Sequence, residues 1–384
     1  MTVGGRLTFL DCLRGWAALS VILYHTALIP TPALQIPAWV APVVLNGGTG
    51  VTLFFIASAF SLCRAARPGE ERGRELAAYA IRRLFRIAPL FYAILAVSIV
   101  RDVWVFAVWH GAPTIIANAL FVFNLWPGHE TGIVWASWTI GVEVLFYGVF
   151  PLLVSRVKTV APASMVVLLC LSAAALWPLL LHLTSLPQDQ ADAQAQFGVL
   201  RQLPLFAMGV LAYRVFERYI EPRGLPWQAG GALLAVALYL FVLMWSGRLT
   251  APPFHDIYFW PGAIYSFVVL GLAIYPVRFL VNGVMTFLGR VSYSLYLLHP
   301  LIVYTLIPVY RAIQNRGWPV TLSFGLCFVL TIGATVTASI VTNRLIEVPG
   351  MRLGGRLANR LTNRDTIGGR LGLANISVKP FMRP

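Results

Sequence analysis

The chain has 384 residues, 58% of them hydrophobic and 11% charged, with a mean hydropathy of +0.76 and a formal net charge of +15. Such proportions exclude an ordinary soluble domain and point to a protein that crosses a membrane several times. Nucleic acid is not expected as a partner, because the basic residues are spread between apolar runs in the way membrane topology demands.

A span needs about 20 mostly apolar residues. Ten runs approach that length: 8–29, 44–63, 88–109, 134–155, 159–184, 198–213, 228–246, 258–276, 291–310 and 320–343. The expected fold class is therefore all-α, a polytopic transmembrane helix bundle of about ten spans. A further apolar stretch, 113–126, is too short and too close to prolines to count as a span.

The first run holds "LDCLRGWAALSVILYH", with Asp11, Arg14 and His25 inside it. An ionisable side chain within a span costs about 2.5 to 3.5 kcal/mol on insertion scales and is by default a functional candidate. On a helix, Arg14 and His25 are separated by almost three turns, about 16 Å of rise, so they share a face at two depths. A snorkelling anchor paired with Asp11 also fits Arg14, and a polar contact between helices also fits His25.

After the second run comes a basic cluster, Arg64, Arg67, Arg72 and Arg74, and then "AAYAIRRLFRIAP" with Arg82, Arg83 and Arg86. Arginines at i and i+3 form a two-pronged cationic face suited to phosphate oxygens; a plain positive anchor is the alternative. The fourth run, "ASWTIGVEVLFYGVFPLL", places Glu143 among Trp138, Phe146 and Tyr147. A carboxylate within a span needs a partner. His25 is the expected one, since a carboxylate beside an imidazole fixes its tautomer for general-base work.

The stretch "LPQDQADAQAQ", 186–196, is expected as an acidic external loop. In "LGRVSYSLYLLHP", Ser292, Tyr296 and His299 fall on one helical face, as contacts between helices or as a substrate-binding face. In "LIEVPG", Glu347 followed by Pro349 is expected to end the tenth helix. Residues 1–349 form one transmembrane domain without internal repeats. Residues 350–384, rich in Gly and Arg, are expected to be a flexible tail, open to anionic lipid. Placing the N-terminus in the cytoplasm puts the 64–86 cluster, Arg156, Lys158, Arg214 and the tail there too, so both termini are expected to be cytoplasmic. Cys12, Cys63, Cys170 and Cys327 lack metal-ligand spacing, and no metal is expected.

Six segments in order, "FLDCLRGWAALSVILYH", "GVTLFFIASAF", "RRLFRIAPLFY", "SWTIGVEVLFYGVFP", "LGRVSYSLYLLH" and "RLIEVP", resemble the integral-membrane acyltransferase 3 family over nearly the whole membrane region. The resemblance implies a multi-pass enzyme of the bacterial inner membrane. Such enzymes move an acyl group, commonly acetyl from acetyl-CoA, to hydroxyls of carbohydrate or glycolipid acceptors such as lipopolysaccharide O-antigen and other surface polysaccharides. It carries the family's basic-residue-to-histidine pattern onto Arg14 and His25, its arginine pair onto Arg83 and Arg86, and its acidic position onto Glu143. The chain departs from the pattern at Val144, where a second acid is common, at Ala59 beside Ser58, and at Thr139 and Ile140.

The expected mechanism uses His25 as general base, held by Glu143, with Arg14, Arg83 and Arg86 on the phosphates of acyl-CoA. Ser58, Trp138, Tyr147, Ser292, Tyr296 and His299 are the expected substrate-binding residues. The competing class is a proton-coupled transporter or flippase of a lipid-linked or sugar substrate, in which the same Arg, His and Glu form a proton relay. Against it, the sequence shows no inverted repeat.

Overall fold

The structure is a computed structural model, and it describes residues 2–3, 6–66, 72–249 and 258–371. Apart from a short ladder pairing Thr2–Val3 with Arg6–Leu7, the described regular structure is helical. Helices are what a lipid-facing chain must form, because each satisfies its backbone hydrogen bonds internally. In chain order they are α1 (Thr8–Leu28), α2 (Ala41–Leu45), α3 (Gly50–Ala65), α4 (Arg72–Phe106), α5 (Ala112–Ala119), α6 (Trp138–Arg156), α7 (Val160–His182) and α8 (Gln188–Phe197). There follow α9 (Val199–Val215), α10 (Trp227–Trp245), α11 (Phe259–Ile274), α12 (Gly283–Arg290), α13 (Ser292–Gln314), α14 (Val320–Thr342) and α15 (Val348–Leu371).

Each of the ten expected runs corresponds to a helix. Eight helical segments among the described residues are long and apolar enough to cross a membrane. The other two expected spans are α1, whose apolar character is diluted by Asp11, Arg14 and His25, and α11, which has 16 residues. The layers follow from burial. The span containing α9 is 72% buried and that of α3 is 61% buried, whereas α7 and α10 are buried over 17% and 11%. Helices α3 and α9 therefore form the centre of the bundle, with Ile56, Ala57, Phe60, Leu205 and Phe206 fully enclosed. The outer faces of α7 and α10 carry Leu168, Leu179, Leu238 and Tyr239, which suit lipid.

Close helix crossing fixes α1. A Cβ on Gly289 would come within 1.8 Å of the Asp11 carbonyl oxygen, and one on Gly15 within 2.5 Å of the Met285 oxygen. Small residues at a helix interface permit such approach, so α1 and α12 meet backbone to backbone beside Arg14. Asn282 caps α12, its side-chain oxygen accepting from the Met285 amide at 3.0 Å.

Three expectations change. The segment 186–196 is largely helical in α8, which buries Gln194 so that its Nε2 donates to the Asn124 carbonyl at 3.3 Å. Glu347 and Pro349 do not end the chain's helical run: α14 passes through a π-turn, Asn343–Glu347, into α15. Proline falls where the π-turn has already widened the ladder, the Val348 amide bonding back to the Asn343 carbonyl, and such local widening is how an unbroken helix accommodates it. The expected flexible tail is thus helical as far as Leu371, and α15 packs along α4. Arg67 and residues 372–384 lie outside the described residues.

Candidate active site

A cavity of about 90 Å³ opens where α1, α3, α4, α6 and α13 converge. Helix α1 contributes Arg14, α3 contributes Ser58 and Ser61, and α4 contributes Arg83 and Arg86. From α6 come Thr139, Glu143 and Tyr147, and from α13 come Ser292, Tyr293 and Tyr296. The sequence spreads these residues over nearly 300 positions. Helix spacing gathers them: Glu143 and Tyr147 are one turn apart on α6, as are Ser58 and Ser61 on α3 and Arg83 and Arg86 on α4.

The polar groups are organised in two ways. Both the Ser58 and Tyr147 hydroxyls donate to Oε1 of Glu143, at 2.5 and 2.6 Å. The two donors use both lone pairs of that one oxygen. Arg14 Nη2 donates to Ser61 Oγ at 3.1 Å, while its Nη1 stands 3.8 Å from Asp11. The Ser61 hydroxyl donates in turn to the Ala57 carbonyl at 2.6 Å, which leaves its lone pairs for the guanidinium. Arg83 lies over the rings of Tyr79 and Tyr147, 5.6 Å from each centroid. Three guanidiniums and one carboxylate line the cavity, so its field favours an anion.

Farther along α1, His25 Nδ1 is 2.9 Å from His299 Nε2, and the two rings are 4.9 Å apart. His299 is fully buried and its Nδ1 lies 3.3 Å from the Leu295 carbonyl oxygen. Tyr296 separates this pair from the cavity: its ring is 5.5 Å from His299, its hydroxyl receives a bond from Thr139 at 2.9 Å, and it donates to the Ala136 carbonyl at 3.1 Å. Ala136 adopts φ +62°, left-handed backbone that alanine rarely takes.

The structure therefore brings together Arg14, Arg83, Arg86, Glu143, Ser58, Tyr147, Ser292 and Tyr296, and separates out His25, His299 and Trp138. His25 pairs with His299, while Glu143 bonds Ser58 and Tyr147; the expected carboxylate–imidazole pair is replaced by an imidazole–imidazole pair. The physical reason is the way α6 is turned: its Glu143 face meets the Ser58 and Tyr147 hydroxyls inside the cavity that Arg14, Arg83 and Arg86 also line. His299, expected at the substrate-binding face, is buried behind His25, and Trp138 packs between Phe55 and Phe197 at ring distances of 6.3 and 5.2 Å. Sequence reasoning missed Ser61, Thr139 and Tyr293 as lining residues. Ser61 was accessible from its i+3 spacing to Ser58; Tyr293 carries no such signal, and its hydroxyl ties α13 to the Ile87 carbonyl of α4 at 2.8 Å.

No curated protein and no solved structure matches the chain. A family model described as an acyltransferase domain matches residues 7–340, which contain every lining residue of the cavity and both histidines. The chain belongs to the acyltransferase 3 family and is a membrane acyltransferase.

Proposed function

We propose that the protein transfers an acyl group, acetyl in the simplest case, from acyl-CoA to a hydroxyl of a carbohydrate or glycolipid acceptor in a bacterial inner membrane. The observation that carries this is the pairing of a cavity lined by Arg14, Arg83 and Arg86 with a histidine pair farther along the same helix, α1. With the Arg72 end of α4 taken as cytoplasmic, the guanidiniums receive the donor's phosphates from that side. At about 90 Å³ the cavity suits a phosphate group or the slender pantetheine arm, since whole drug-sized ligands fill several hundred Å³. The nucleotide then stays outside, and the arm carries the thioester past Tyr296 toward His25.

His25 takes the proton of the acceptor hydroxyl as its oxygen attacks the thioester carbon. The carbon–sulfur bond breaks, and the CoA thiolate leaves with the proton that His25 accepted. General-base assistance of this kind supplies about 10² to 10⁴-fold, and alignment of donor and acceptor supplies more. Glu143 acts at the arginine end: it organises Ser58 and Tyr147 and balances the guanidiniums before the anion arrives.

The test follows labelled acetyl groups from acetyl-CoA into lipid and polysaccharide fractions, comparing purified wild type with His25→Ala and Arg86→Ala. Transfer that requires His25, together with a weakened acetyl-CoA affinity in Arg86→Ala, is the expected result. Equal transfer by wild type and His25→Ala would remove the general base from this scheme.

A further inference from the structure

The Glu143 carboxylate lies at the arginine end, so the neighbour that sets the tautomer of His25 has to be found elsewhere. A neutral imidazole has one N–H and one lone pair, and only the nitrogen with the lone pair can take a proton from a hydroxyl. The hydrogen bond made by the other nitrogen decides which is which.

Three residues in series fix the direction. The Leu295 carbonyl oxygen can only accept, so the contact at 3.3 Å requires a proton on His299 Nδ1. His299 is fully enclosed, 0% exposed, with aromatic Tyr296 and His25 against its ring. A cation in such a place without a carboxylate in contact is strongly disfavoured. With Nδ1 protonated and the ring neutral, His299 Nε2 carries a lone pair. The 2.9 Å contact between His299 Nε2 and His25 Nδ1 then requires the proton to sit on His25 Nδ1. Nε2 of His25, on the other side of a half-buried ring, is left with its lone pair.

We propose that His299 is a positioning residue: through the chain Leu295 O, His299 and His25 it holds His25 in the Nδ1–H tautomer and so presents Nε2 as the base. This deepens the function proposed above and rests on its assignment of His25. When His25 accepts the acceptor's proton at Nε2, its Nδ1–H keeps donating to the His299 lone pair. The imidazolium is stabilised without any proton passing to His299, and that proton leaves with the CoA thiolate. An imidazole here does the orienting work for which a carboxylate was expected, and it does so without placing a fixed negative charge at the His25 level.

Two measurements test the assignment on the full-length protein in detergent. The first is the ring-nitrogen NMR signature of ¹⁵N-histidine-labelled wild type at neutral pH, with the His25 signals identified by their loss in His25→Gln. Protonated Nδ1 and bare Nε2 are expected for His25; a protonated Nε2 on neutral His25 overturns the proposal, and this readout needs no acyl transfer and no change at His299. The second compares acetyl transfer by His299→Phe and His299→Gln. The Phe variant removes the imidazole acceptor of His25 Nδ1–H and leaves the ring only its backbone contact with Val21, and kcat should fall about 100-fold with the KM for acetyl-CoA within about 3-fold of wild type. The Gln variant, whose side-chain oxygen can accept from Nδ1–H, should recover at least about a tenth of wild-type kcat. A wild-type kcat in His299→Phe would overturn the positioning role. Undiminished transfer by His25→Gln would instead defeat the general-base assignment of the previous section, and the NMR result on wild type would still decide the tautomer.

Discussion

Helix α4 carries arginines near both of its ends, and the two sets are built in opposite ways. At the Phe106 end, Arg101 is consumed by its neighbours: Nε and Nη2 both donate to Oδ1 of Asp102, at 2.8 and 2.6 Å. The other oxygen of Asp102 meets His110 Nε2 at 2.8 Å, and the guanidinium carbon lies 3.7 Å from the Trp135 ring centroid. The ion pair is closed on itself, with side chains 9% and 11% exposed. Toward the Arg72 end, Arg83 and Arg86 face a cavity with Arg14, beside hydroxyls and aromatic rings, and the one carboxylate ion-paired to Arg14 is 3.8 Å away. The same residue type is a structural clasp where its charge is cancelled in place, and an uncancelled charge facing a cavity where several guanidiniums share an opening.

Four substitutions press on that contrast. Arg101→Ala should have the largest effect, because it leaves the buried Asp102 without its cation; loss of about 3 to 5 kcal/mol is expected, read as a lowered unfolding temperature in detergent. The affinity of whatever protein remains folded for acetyl-CoA should be unchanged, and a selective loss of affinity would erase the distinction between the two ends. Arg86→Ala should do the reverse, raising the KM for acetyl-CoA about 10 to 100-fold, equivalent to about 1.4 to 2.8 kcal/mol, with little change in unfolding temperature. Glu143→Gln removes the one carboxylate that lines the cavity among the described residues and should tighten the binding of CoA, measured by calorimetry, by about 3 to 10-fold, because a like charge no longer opposes the phosphates. The smallest effect belongs to a residue that lines neither cluster: Asn282→Ala deletes the cap of α12 and should reduce stability by about 1 kcal/mol, with the KM changed less than in Arg86→Ala.

How much of this was legible in the sequence depends on the kind of interaction. The helices were, because lipid imposes runs of apolar residues that composition alone reveals, and the grouping of Arg83 with Arg86 or Glu143 with Tyr147 follows from helical spacing. The partner of Glu143 was not legible. Several candidates lay at roughly compatible depth, and the choice between His25 and Ser58 depends on how α1, α3 and α6 are rotated about their axes. Those rotations are set by contacts such as Gly15 and Gly289, where the helix crossing is closest. The His25–His299 pair joins residues 274 positions apart, and nothing local to either announces the other. Helix α15 escaped because its Gly and Arg content suggests a solvated segment; it is helical as a continuation of α14 packed on α4.

The length of α4 has a consequence for hydration. Its 35 residues extend about 52 Å, well beyond the roughly 30 Å of a hydrocarbon core. Counted back from Phe106, Arg86 lies about 30 Å down the helix axis, one hydrocarbon thickness from the far boundary, and the turns before it project beyond, flanked by α15. For the donor proposed above, phosphates held at Arg83 and Arg86 keep to the hydrated boundary rather than the lipid interior. In the proposed scheme only the uncharged remainder of the donor is dehydrated, and the most expensive part of moving an ionic molecule into a membrane is avoided.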